Sequence, residues 1–224
     1  MRHVYVHGSG RTGAQAWPTI DPSSGTFVAF DKDAAVPERV AVLEAEHAGS
    51  PLTVFAHSLG GVPAALAAHR GVLDVRALVL VEPALYDVAR GHSAIERHIA
   101  IVTEARAQAA AGDLRAFWAL MRPLMFGGPL EVDRWSDERA AAEHWARVTV
   151  PWGHGVRPGM LRGIPTLVVT GGWNAEYEAI ASVLVDNGGS HQVVAGAQHR
   201  PQDLPGFGSV VAAFLRTVAE DLRC

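Results

Sequence analysis

Short apolar, β-branched runs alternate along the chain with longer Ala- and Leu-rich segments. The runs His3–Val6, Thr26–Phe30, Leu52–Phe55, Ala77–Val81, Thr166–Val169 and Gln192–Val194 are nearly continuous in apolar character. A strand with one face in water alternates apolar and polar positions. An unbroken apolar strand instead fits a parallel sheet covered on both faces. Between the runs lie helical patterns at Pro37–Ala48, Leu59–Arg70, Ala175–Asn187 and Gly208–Leu222. This alternation predicts an α/β chain with a doubly wound, mostly parallel sheet. Function in such sheets gathers at the carboxyl ends of the strands.

One interval breaks the rhythm. From Tyr86 to Arg162 the chain offers only helix-like stretches. Ser93-Ala94-Ile95-Glu96 has the form of a capping box opening a helix through Ala111. Asp113 is placed to cap a second, Leu114–Met121, stopped by Pro123, and Asp137–Arg147 is a third. The expected organisation is a core of residues 1–85 and 163–224 with a helical cap, 86–162, inserted before the penultimate strand. The block carries Trp118, Trp135, Trp145 and Trp152. These rings either pack the cap onto the body or line an apolar substrate pocket.

At 224 residues and 49% apolar, the chain suits one domain with a modest insertion and a full core. A net charge of −4 without long runs of one sign argues against nucleic-acid binding. The single cysteine, Cys224, excludes an intramolecular disulfide and favours a reducing, cytoplasmic setting. No segment reads as a signal peptide or approaches the roughly 20 apolar residues of a membrane span. The only lysine is Lys32, which sets aside pyridoxal-phosphate chemistry. No His, Cys and carboxylate grouping has zinc-ligand spacing, so no metal and no cofactor is expected.

Gly8-Ser9-Gly10-Arg11-Thr12-Gly13 follows a strand and satisfies G-x-G-x-x-G, with Asp31 after the next strand. A dinucleotide site would need a full helix starting at the third glycine to aim its N-terminus at a pyrophosphate. Pro18 and Asp21-Pro22-Ser23-Ser24-Gly25 cut any such helix short, since an interior proline costs about 3 kcal/mol. The better reading begins at His7-Gly8, a glycine-rich turn able to present backbone N–H groups to an oxyanion.

Ala56-His57-Ser58-Leu59-Gly60-Gly61 joins a buried strand directly to an Ala- and Leu-rich helix. A serine on that sharp turn is exposed above the sheet, and small neighbours let the flanking backbones approach. The Leu59 N–H is then a natural oxyanion donor. The serine needs a base within hydrogen-bond reach. Of 11 histidines, His199 is distinguished by following the last strand in Val194-Ala195-Gly196-Ala197-Gln198-His199. His57 is the nearest rival in sequence. Its side chain points away from that of its neighbour on the turn, which favours a structural role.

Together His7–Gly13, Trp17, Ala56–Gly61 and Gly196–His199 resemble the α/β-hydrolase fold family over the whole chain. The resemblance implies a minimal sheet of about six strands, lacking the family's first two. It also implies that Ser9 and Leu59 supply the oxyanion N–H groups, and that nucleophile, acid and base follow in that order. The family most often takes its acid from the loop after the penultimate strand, and Asn174 stands there. An amide cannot carry the charge that stabilises an imidazolium. Glu82, at the tip of the preceding buried strand, is costly unless partnered, and His199 would be its partner. Some haloalkane dehalogenases of this fold are similar in taking a glutamate from the same strand. Glu176 and an Asn174-oriented dyad are the alternatives. Asp203 is expected to cap the final helix or to be solvated.

The resemblance thus implies a serine hydrolase with a Ser58–His199–Glu82 triad. Its substrate would be a small or medium carboxylic ester, thioester or lactone with an apolar part. Other chemistry on the same residues (C–C hydrolysis, aminopeptidase or cofactor-free lyase action) and a non-catalytic ligand-binding role are the alternatives. The sequence leaves the oligomeric state open.

Overall fold

The computed structural model describes residues 1–31 and 34–221, so Lys32 and Cys224 lie outside the described residues. In chain order the strands are β1 Arg2–Val6, β2 Thr26–Phe27, β3 Pro51–His57, β4 Asp74–Val81, β5 Thr166–Thr170 and β6 Ser190–Val193. The helices are α1 Val36–His47, α2 Gly61–His69, α3 Ser93–Ala110, α4 Leu114–Phe126, α5 Trp135–Arg147, α6 Ala175–Asp186 and α7 Pro205–Asp221. Two compact units result. One comprises Met1–Arg90 with the chain from Val150 onward, the other Gly91–Thr149.

The first unit holds a six-stranded, all-parallel sheet in the order β2-β1-β3-β4-β5-β6, with helices on both faces. Side chains alternate faces along a strand. Tyr5, Phe55, Val79, Val81, Leu167 and Val169 form one apolar face and pack with Trp17, Phe207 and Val211. The Tyr5 ring stacks at 4.6 Å on both Phe27 and Phe55. On the opposite parity Val4, Val6, Val54, Leu78, Leu80 and Val168 are equally buried. There α1 and α2 pack on one another, and α2 lies against β3 and β4. Every residue of Ala77–Val81 is buried, which is why this stretch reads as one apolar run. A large apolar side chain so placed contributes about 1.5–3 kcal/mol. The chain leaves β1 toward β2 and then returns to the other side at β3, so the switch point lies between β1 and β3.

Several element boundaries differ from expectation for local reasons. The second strand pairs over only two residues, because the Phe30 N–H donates to His7 Nε2 at 3.1 Å instead of extending a ladder. The turn after β3 is a tight 3₁₀ segment, Ser58–Gly60, before α2 begins at Gly61. The final helix opens at Pro205, where a missing N–H is harmless.

In the second unit α3 is capped by His92, not Ser93. Its Nδ1 accepts the Ala94 N–H, while Glu96 reaches back to the Gly91 N–H at 2.8 Å. Asp113 caps α4 through the Ala116 N–H at 2.8 Å. That helix runs through Pro123 to Phe126 and stops at Gly127, whose φ of 69° is left-handed. Arg122 secures this end. It donates to the Gly127 and Gly128 carbonyls and pairs with Glu138, which also accepts the Trp118 indole N–H at 2.7 Å. Among the described residues no helix is long and apolar enough to cross a membrane.

Beyond β4 in the first unit, Asp87 accepts the N–H groups of Gly153, His154 and Gly155 at 2.8, 2.9 and 3.0 Å. Left-handed Gly153 and Gly155 (φ 81° and 78°) flank His154 and aim three successive donors at one carboxylate. Asp87→Ala should cost about 1–3 kcal/mol in urea denaturation. It should also speed amide exchange at 153–155, and unchanged exchange there would contradict this latch.

Candidate active site

Among the described residues, only three non-glycine residues have a positive φ: Ser58 (54°), Glu82 (43°) and Gln198 (46°). Each sits at or just beyond the carboxyl end of a strand. Such conformations cost about 1–3 kcal/mol and persist only where surrounding structure fixes them.

Ser58 is fixed by close packing at the switch point. A Cβ on Gly60 would lie 2.4 Å from the His7 carbonyl oxygen, and one on Gly8 would lie 2.9 Å from Ser58 Cβ. Only glycine lets the ends of β1 and β3 press together in this way. The Ala84 N–H donates to the Ser58 carbonyl at 3.1 Å and ties the turn to the segment after β4. His7 holds the loop after β1. Its Nδ1–H donates to the Gly8 carbonyl at 2.6 Å while Nε2 accepts from Phe30, which fixes the tautomer. Ser9 follows Gly8 in this loop, and Leu59 follows Ser58 in the 3₁₀ turn.

Glu82 directly follows β4 and is 0% exposed. Its backbone N–H continues the ladder to the Val169 carbonyl at 2.8 Å. Carboxylate Oε1 accepts the Gly171 N–H at 2.5 Å, and Oε2 accepts the Trp173 indole N–H at 3.1 Å. Oε2 also lies 3.4 Å from His199 Nδ1. A buried anion needs such donors, each worth about 1.5–3 kcal/mol when the partner is charged.

His199 reaches back from the loop after β6. Its Nε2 is 3.1 Å from Ser58 Oγ, so one imidazole bridges the serine and the carboxylate. The loop passes so close to β5 that a Cβ on Gly171 would lie 2.2 Å from the Gln198 carbonyl oxygen. The rings of His57, Tyr177 and Trp173 flank it, with centroids 4.9, 5.1 and 6.4 Å away. The 3.4 Å separation is long for a hydrogen bond, as is common before a ligand tightens a site.

The other sequence candidates are engaged elsewhere. Asn174 caps α6, its side-chain oxygen accepting the Glu176 N–H at 2.8 Å. Glu176 accepts the Tyr86 hydroxyl at 2.8 Å. Burial pushes the Tyr86 and Tyr177 phenols up, with nearby carboxylates adding to the effect, so both hydroxyls keep their protons. Asp203 does not cap α7 but pairs with Arg200 and Arg11. The glycine-rich segment after β1 leads into two 3₁₀ turns, Gly13–Ala16 and Pro22–Ser24, and Asp31 is exposed, so no helix aims at a pyrophosphate. Among the described residues no group of three His, Cys, Asp or Glu side chains is arranged to hold a metal ion. Sequence reasoning missed Trp173 and Tyr177 altogether. Their one signal was position, in the loop and first helical turn after β5.

No protein-family model matches the sequence, and no curated protein matches it. Solved structures do. A carboxylesterase of the ammonia-oxidising thaumarchaeon Nitrososphaera gargenis superimposes with a TM-score of 0.60 at 17% identity, covering 98% of this chain and 91% of its own. MenH from S. aureus gives 0.62 at 14%, covering 98% and 94%. Est816, an N-acyl homoserine lactone degrading enzyme, gives 0.61 at 16%, covering 96% and 93%. With the parallel sheet and its switch point, these define the chain as an α/β-hydrolase-fold protein.

His57 supplies a test of the site's electrostatics. It is only 5% exposed, and burial first, then the neighbouring His199, holds its pKa well below the ordinary value, with Arg200 and His7 adding to the effect. The depressed pKa means that below about pH 6.5 the unfolded chain binds a proton that the folded chain does not. Its contribution to stability is complete above that pH and declines as pH falls toward the folded value, by up to about 1.4 kcal/mol per pH unit. Urea denaturation at pH 7 and pH 5 should show a shallower loss in His57→Gln than in the wild type. Equal losses would contradict a neutral, buried His57.

Proposed function

We propose that the protein is a serine hydrolase acting by acyl transfer. Its substrate is a small or medium carboxylic ester, thioester or lactone with an apolar part. The observation that carries this reading is the continuous Ser58 Oγ–His199–Glu82 chain, with separations of 3.1 and 3.4 Å. Support also comes from the fold's occurrence in a carboxylesterase and a lactone-degrading enzyme. Trp173, 41% exposed beside His199, offers an apolar surface to the substrate.

In the first half-reaction Ser58 Oγ attacks the carbonyl carbon as its proton passes to His199 Nε2. The N–H groups of Ser9 and Leu59 receive the developing oxyanion. Glu82, fixed by Gly171 and Trp173, balances the imidazolium and holds the ring in the productive tautomer. Collapse of the intermediate breaks the bond to the leaving alkoxide or thiolate, which takes the proton from His199. Water then attacks the acyl-serine, giving its proton to His199, and the acid leaves as Ser58 is reprotonated.

Hydrolysis of p-nitrophenyl acetate and butyrate, with a thioester and a lactone alongside, tests this reading. Ser58→Ala should remove turnover, and Glu82→Gln should lower kcat by about 10²- to 10⁴-fold. Asn174→Ala should leave kcat of the same order, its cost falling on stability at about 1 kcal/mol as a lost helix cap. The reverse ranking of Glu82→Gln and Asn174→Ala would overturn the acid assignment. No turnover of any of these compounds by folded wild type would overturn the substrate class.

A further inference from the structure

We infer that His57 is a positioning residue, whose ring N–H fixes the backbone of His199 and thereby the base's reach to Ser58. This rests on the serine-hydrolase reading above. The geometry comes from three elements that converge on one imidazole. His57 is the last residue of β3, next to Ser58, and its Nε2 lies 2.9 Å from the His199 carbonyl oxygen. A carbonyl accepts only, so Nε2 carries the proton and donates. On the other side of the ring, a Cβ on Gly8 would lie 3.4 Å from Nδ1, so the loop after β1 packs against it. The Trp17 ring meets it edge-on, 6.5 Å away and at 79°.

His199 needs such an anchor. Its loop carries the left-handed Gln198, and the Glu82 contact that orients its ring is long, at 3.4 Å. The bond from His57 ties the base's own backbone to the strand that bears the nucleophile. Displacements on the order of 1 Å between reacting groups can cost about 10²-fold in rate.

The chemistry also favours a neutral donor here. His199 becomes an imidazolium during turnover, with its ring 4.9 Å from that of His57. A cationic donor at this place would oppose that charge. The groups facing His57 are His199, Arg200 and His7, none of them acidic, and burial keeps the ring uncharged. His57 therefore supplies a hydrogen bond without a competing charge.

Two polar variants separate positioning from packing. The amide nitrogen of glutamine falls near the place of histidine Nε2, whereas that of asparagine falls near Nδ1. The readout is inactivation by a fluorophosphonate, followed over a range of reagent concentrations to give a limiting rate and a half-saturation concentration. His57→Asn should lower the limiting rate about ten- to hundred-fold with half-saturation unchanged. His57→Gln should restore a rate of the same order as the wild type.

A wild-type rate in His57→Asn would overturn the inference. So would equal slowing in both variants, which marks a role in packing alone. Urea denaturation of each variant at pH 7 confirms that the rates compare folded proteins. Should His57→Asn fail to fold, His57→Phe takes its place as the ring without a donor, with the same expectation. Failure of the underlying reading looks different: the wild type would not be labelled, or would be labelled as fast after His199→Ala.

Discussion

The site is organised around one buried anion. Glu82 is withdrawn from water at the tip of β4, and an unpartnered carboxylate there would be too costly to keep. The protein answers with the Gly171 N–H at the end of β5, the Trp173 indole N–H one turn further, and the imidazole of His199 from beyond β6. Those three donors come from different segments. Holding the charge therefore holds the ends of β4 and β5 and the histidine loop in one arrangement. Gly171 meets two requirements, since it donates to Glu82 and is the only residue type that admits the Gln198 carbonyl at such short range.

Strain and packing answer each other around this centre. The left-handed Ser58, Glu82 and Gln198 lie on the same edge of the sheet as the three side chains that meet there. Gly8 and Gly60 let the backbone of β1 approach the serine turn, and His57 crosses from that turn to the His199 backbone. The rings of His57, Tyr177 and Trp173 lie beside His199, whose side chain keeps 35% of its surface open to solvent. The Ser58 hydroxyl, the His199 imidazole and the Glu82 carboxylate thus stand in one line, with separations of 3.1 and 3.4 Å.

Much of this was legible in the residues. The unbroken apolar runs at Leu52–Phe55, Ala77–Val81 and Thr166–Val169 required a sheet covered on both faces, and those segments became β3, β4 and β5. The turn at Ala56–Gly61 and the loop before His199 were readable because small residues mark places where backbones approach. The failures have physical causes too. The length of β2 was invisible because a side chain, His7, takes the hydrogen bond that a strand would have used. Pro123 did not end α4, because the Arg122 guanidinium secures the turn that follows it. His92 displaced Ser93 as a cap, a choice between two adjacent polar side chains that pattern alone does not rank. Trp173 escaped notice because its function depends on the direction of one N–H toward a residue 91 positions away.

If the Glu82-anchored imidazole of His199 activates Ser58, a fluorophosphonate reacts at that serine alone. Mapping the residue that carries a fluorophosphonate adduct, by peptide mass after proteolysis, tests it most directly. One adduct per chain is expected, on the peptide containing Ser58, and none after equal exposure of His199→Ala. An adduct on a different residue, or labelling of Ser58 that survives the loss of His199, would contradict it.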